Sequence, residues 1–144
     1  MLRSFPLMFI AVLLYNLVWG YHWSIGSGTM NELLAAGLPW LMFSGDIWTF
    51  TFSDLLVTAS LALLFVEVVK STRTNSAEVI NHALSVLVFV VALVEFIVVK
   101  GFSTSTFFLI LAMCVFDIVA GFTISIVAAK RDLGTPATGI IGTN

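Results

Sequence analysis

Five side chains are placed where an apolar chain has little reason to put them. They are Asp117 within "FFLILAMCVFDIVAGFTISIVAAKR", Asn16 within "LLYNLVW", Glu95 and His82 in a third apolar run, and Glu67 in a second. Carboxylic acids and an imidazole can pass protons or hold a cation, whereas an amide does not titrate and serves to bridge polar groups. Asp117 is the most demanding of the five. It lies 12 residues from either end of the run 105–129, or about 18 Å at ~1.5 Å per residue, so a helix crossing a bilayer carries it near the midplane. A bare carboxylate there costs on the order of 3 kcal/mol on the more lenient scales, so it must turn toward protein.

Its helical neighbours agree with that direction. Steps of three or four residues give Cys114, Asp117, Gly121, Ser125 and Ala128, a stripe of small or polar side chains, while Phe116, Ile118, Val119, Phe122, Ile126 and Val127 fill the remaining surface. Small residues let a second helix approach closely. Asn16 has a similar depth and is the expected partner, because a protonated Asp117 bonded to an amide needs no counter-ion. Asn81, Ser85, Val88, Ala92 and Glu95 form a second stripe, with Glu78 and His82 beside it. Glu67–His82 or Lys70–Glu78 contacts are expected across the adjoining hairpin, and Glu95 is expected to meet Tyr21, His22 or Lys100.

The elements that position these groups follow from composition. With 60% hydrophobic and 10% charged residues and a mean hydropathy of +1.10, the chain has more apolar surface than a soluble domain of this length can bury. About 20 apolar residues cross the ~30 Å hydrocarbon core as a helix, because lipid offers no partner to free backbone groups. Four stretches qualify: 5–25, 53–70, 77–100 and 105–129. The expected fold is therefore an all-α integral membrane protein, a single four-helix domain over 1–144 with a flexible cytoplasmic tail at 131–144. Pro6 suits a first helical turn. Thr51 or Ser53 is the expected cap of the second span, with Asp54 in its first turn. Asn75 or Ser76 is expected to cap the third, and the fourth is expected to stop at Lys130 and Arg131.

Charge gives the orientation. With the N-terminus inside, Arg3, Lys70, Arg73, Lys130 and Arg131 are cytoplasmic and only Lys100 is outside, which is the bias that positive charge imposes. Both termini are expected in the cytoplasm, at a bacterial cytoplasmic (inner) membrane. The first span ends in "YNLVWGYHW" rather than a small-x-small cleavage site and reads as an uncleaved anchor. The outer loop 26–52 has no Lys or Arg, carries Glu32 and Asp46, and has the apolar middle "LLAAGLPWLMF". It reads as interfacial or re-entrant, with a short helix from Met30 to Ala36 that ends before Pro39. Trp19, Trp23, Trp40 and Trp48, with Tyr21, are the expected interfacial anchors.

Several chemistries are excluded. Cys114 is the single cysteine, so neither an internal disulfide nor a paired-thiol oxidase is available. His22 and His82 fall at opposite ends of their spans and cannot ligate one haem from both sides; ligation of a pigment or haem by one histidine, or binding of lipid or quinone, stays open. "GSG" at 26–28 reads as a turn, and no phosphate loop, nucleophile elbow or metal motif is present. With a net charge of −2 and no basic run, no nucleic-acid partner is expected. An enzyme would need catalytic groups at one depth, and only Glu95, His22 and Asp46 cluster near the outer surface.

In size and span count the chain is similar to the small multidrug transporters. Yet "FPLMFIAVLLYNLVWG" has no counterpart of their first-span glutamate, and the one-sided charge bias departs from their antiparallel pairing, so no functional residue carries over. The first functional expectation is a small accessory or assembly subunit, packing against other membrane subunits or itself within the lipid bilayer, with Asp117 and Asn16 as polar glue. The alternatives are a proton-coupled or small-cation transporter acting as a homo-oligomer, through Glu95, Asp117 and His82, and a lipid- or quinone-binding protein.

Overall fold

The computed structural model of the protein describes residues 5–26, 28–72 and 76–134, apart from the side chains of 76–79, 128, 129 and 131–134. The chain is mostly helical, in the order α1 (Met8–Ile25), α2 (Met30–Ala35), β1 (Gly37–Leu41), β2 (Ile47–Thr51), α3 (Phe52–Ser71), α4 (Ser76–Val98) and α5 (Ser105–Gly134). Among the described residues, α1, α3, α4 and α5 are long and apolar enough to cross a membrane.

Local chemistry sets the helix ends. Pro6 precedes α1, and its carbonyl accepts the Phe9 N–H (3.2 Å). Gly26, at φ 67°, closes α1 in the left-handed conformation that a side chain disfavours. Thr51 rather than Ser53 caps α3, in a reciprocal box with Asp54. Thr104 caps α5, its hydroxyl accepting the Phe107 N–H (3.2 Å). The far end of α5 departs from expectation, because the helix runs through Lys130 and Arg131 to Gly134. Both residues are good helix formers and favourable near a helix C-terminus, so they mark a change of solvent and not a change of backbone. Residues 131–134 of the expected tail are thus helical, and 135–144 lie outside the described residues.

The larger correction concerns 26–52. A six-residue α2 forms with a Thr29–Glu32 capping box, but residues 37–51 then fold into an antiparallel hairpin with Trp40 opposite Trp48 and Leu38 opposite Phe50. "IWTFT" has the β-branched and aromatic alternation of a strand, and "SGD" supplies the turn, with Gly45 at φ 89°. Pro39 fits because a two-stranded ribbon has only edge strands. The outer edges of such a ribbon present N–H and C=O groups that need water, headgroups or protein as partners.

In the bundle α5 packs against both α3 and α4, and α1 lies against α3. The buried side chains described on α5 are Thr106, Phe107, Ile110, Leu111, Met113, Cys114 and Asp117; Phe116, Val119, Phe122, Ile126 and Val127 are exposed. Toward the hairpin end, Tyr15, Phe102 and Phe107 form an aromatic core, with Tyr15 and Phe107 centroids 4.6 Å apart. Tyr15 OH donates to the Gly101 carbonyl (3.1 Å) and shares a 2.6 Å hydrogen bond with Thr104. Trp19 Nε1 donates to the Lys100 carbonyl (2.9 Å). Together these contacts pin the α4–α5 connection onto α1.

Candidate functional site

The polar groups of the bundle gather at two stations. The first lies toward the α3–α4 connection. Glu67 on α3 is fully buried and ion-paired with Lys70 (3.0 Å). Its Oε2 also accepts the Leu7 N–H (2.9 Å) at the start of α1, where a carboxylate suits the positive end of the helix. Lys70 reaches on to the Phe5 carbonyl (3.0 Å). Asn81 on α4 donates its amide to Glu67 Oε1 (2.5 Å). Because a lysine-paired carboxylate is an acceptor only, the NH₂ of Asn81 must face Glu67, and its oxygen points the other way.

One turn further along α4 is Ser85, next to Asp117 on α5. His82 Nε2 and Ser125 Oγ are hydrogen-bonded at 3.2 Å. The imidazole lies directly over Gly121, where a Cβ would overlap the ring. Asp117 is 3% exposed, Ser85 2%, His82 3% and Asn81 0%. Asn81 Oδ1 and His82 Nδ1 have no hydrogen-bond partner, while Ser85 Oγ and Asp117 Oδ2 have only each other close by. Leaving a buried polar atom unpaired costs about 1–3 kcal/mol. Even two in one place, Asn81 Oδ1 and His82 Nδ1, would cost a sizeable part of the ~5–15 kcal/mol that holds a domain folded. Such a concentration is expected where a group from outside the chain completes the site.

The second station joins α1 to α4. Asn16 Nδ2 donates to Glu95 Oε2 (3.1 Å) and to the Val12 carbonyl (3.1 Å). Asn16 is therefore the partner of Glu95 and not of Asp117. Depth along the chain was a poor guide here: α1 turns its Asn16 face toward the α4 stripe, while Asp117 faces the other end of that stripe. Nor does Glu95 pair with Tyr21, His22 or Lys100. The pair closes one end of an apolar groove of about 480 Å³, walled by Phe9, Leu13, Leu87 and Val91.

The remaining expected residues separate clearly. Cys114 and Gly121 are buried, Ser125 is half-buried against His82, and the side chain of Ala128 lies outside the described residues. The Glu67–His82 contact is replaced by Glu67–Asn81, since Asn81 is the residue on the α4 face turned to α3. The Lys70–Glu78 contact falls on a side chain outside the described residues. Of the four tryptophans expected as anchors, Trp23, Trp40 and Trp48 are exposed and Trp19 is partly inserted against Phe102. The Tyr15–Thr104 bond was not foreseen; the only signal was a tyrosine deep in an apolar span. Comparison with protein-family models, with curated proteins and with solved structures gives no match.

Proposed function

We propose that the chain is a multi-pass protein of a bacterial cytoplasmic membrane, with both termini cytoplasmic, that binds and moves a proton or small cation through the Asp117 site. The observation that carries this reading is the burial of Asp117, Ser85, His82 and Asn81 on neighbouring helices, with Ser85 beside Asp117 and with Asn81 Oδ1 and His82 Nδ1 lacking a partner. Acidic and imidazole side chains turned into a bundle interior are the groups such pathways use. In this orientation Lys70, which pairs with Glu67, lies toward the cytoplasmic end of α3.

The test is flux in proteoliposomes. Wild-type protein should dissipate an imposed proton or sodium gradient, and Asp117→Asn, which keeps shape but cannot carry a negative charge, should not. Equal flux from the two proteins would remove Asp117 from the pathway and with it this reading.

A second reading, an accessory or assembly subunit, has its own support in the hairpin. Leu38, Trp40, Leu41, Phe43, Ile47 and Trp48 are all exposed on a ribbon that has only two strands, and an isolated ribbon of that size is marginal in water. A docking surface on a larger subunit would cover it. Native mass measurement after gentle solubilisation separates the cases: a stable co-purifying subunit supports this reading, and a lone chain or small homo-oligomer counts against it.

A further inference from the structure

The four buried atoms differ in what they can accept. Asn81 Oδ1 and Asp117 Oδ2 carry only lone pairs, Ser85 Oγ carries lone pairs and one proton, and His82 Nδ1 adds another lone pair when Nε2 donates to Ser125. The site is rich in acceptors and short of donors. A proton on Asp117 supplies one donor and satisfies one neighbour. A water supplies two donors but leaves the carboxylate charge unmatched. A cation between them takes lone pairs from every oxygen at once and cancels the charge.

The charge count selects the kind of cation. Titratable and charged groups around Asp117 come from α3 (Glu67 and Lys70), α4 (His82) and α5 (Cys114, one turn before Asp117), while α1 contributes only a backbone N–H to Glu67. Glu67 and Lys70 cancel each other, so an ionised Asp117 has only His82 nearby to offset its charge. Among the described residues, no group of three or more His, Cys, Asp or Glu side chains could hold a transition or divalent metal. Amide, hydroxyl and carboxylate oxygens are hard ligands that suit hard cations.

Resting on the proposed transport reading, we infer that Asn81 Oδ1, Ser85 Oγ and Asp117 Oδ2 form a binding site for a hard monovalent cation of the sodium type. Asn81 and Ser85 are one helical turn apart and therefore share a face of α4, and Ser85 stands beside Asp117. Glu67 acts on the ion through Asn81, turning the amide so that its oxygen faces the site. Protons compete with the ion for the Asp117 carboxylate, so binding weakens as pH falls.

The experiment uses the full chain in nanodiscs of neutral lipid, with choline chloride holding ionic strength constant. Radioactive sodium should bind saturably, and sodium should raise the melting temperature where choline does not. Asp117→Asn and Ser85→Ala should each weaken binding on the order of tenfold or more, a loss of about 1.4 kcal/mol per factor of ten, and Glu95→Gln should leave it unchanged. Ser85→Ala, which removes only a hydroxyl, keeps the test open should Asp117→Asn fold poorly. Folded wild-type protein that neither binds sodium nor gains stability from it overturns the cation site. If such protein still takes up a proton on acidification and Asp117→Asn does not, the proton half of the transport reading survives; absence of both responses ends both ideas.

Discussion

The imidazole of His82 rests on the bare Cα of Gly121, and only the missing side chain makes room for it. A helix–helix contact on α5 is thereby tied to the orientation of a group in the polar site. Gly121→Ala should push the ring away, break its bond to Ser125 and destabilise the protein by about 1–3 kcal/mol, as overpacking does. The double variant Gly121→Ala, His82→Ala should recover much of that loss. Thermal unfolding in detergent measures both, and additive effects would show that the two residues do not share the space.

Glu67 holds three elements together: Lys70 on its own helix, Leu7 at the start of α1 and Asn81 on α4. Removing it leaves a buried amide and the α1 N-terminus without an acceptor. Individual hydrogen bonds between membrane helices average ~0.6 kcal/mol, but two lost together with a buried ion pair should cost about 2–4 kcal/mol. Glu67→Ala should therefore be much less stable than wild type. Glu67→Gln, which keeps an acceptor for Asn81, should fall between them. Hydrogen exchange should show the first turn of α1 opening first.

Much of this was legible in the chain. The run lengths place all four long helices to within a few residues, and the small-residue spacing around Asp117 points to the buried face of α5, because both depend on periods of a single helix. Pairings between helices were not legible. Asn16 and Asp117 share a depth by residue count, yet they belong to different stations, since tilt and rotation in a bundle are set by packing at sites far along the chain. The hairpin was missed for another reason. Its apolar content reads as membrane surface, and the alternation in "IWTFT" is only five residues long. The extension of α5 to Gly134 shows that a basic pair reports where the solvent changes while saying nothing about where the backbone must turn.

Tyr15 bridges α1 to the α4–α5 connection through Thr104 and the Gly101 carbonyl. Tyr15→Phe keeps the ring packing on Phe102 and Phe107 and removes only the hydroxyl, so a loss of about 0.6–1.7 kcal/mol is expected. The effect should be local. Exchange of the 99–104 amides should quicken while flux through the Asp117 site is unchanged; a loss of flux in this variant would mean that the hairpin-end core is coupled to the polar site.

Cys114 offers a direct check on the face of α5 that everything else depends on. It lies three residues before Asp117 on the same stripe and is 1% exposed. A membrane-permeant maleimide should label it only as the bundle opens, at a rate that rises with denaturing detergent in step with unfolding. A control cysteine at Ser105, exposed at the end of the same helix where water can reach it, should react at once in the Cys114→Ala background. If the native thiol reacts as fast as that control, the stripe carrying Asp117 faces the surroundings instead of α3 and α4. The polar site would then lose its walls, because Ser85 and Asn81 could not share one enclosed space with an acid on the opposite face.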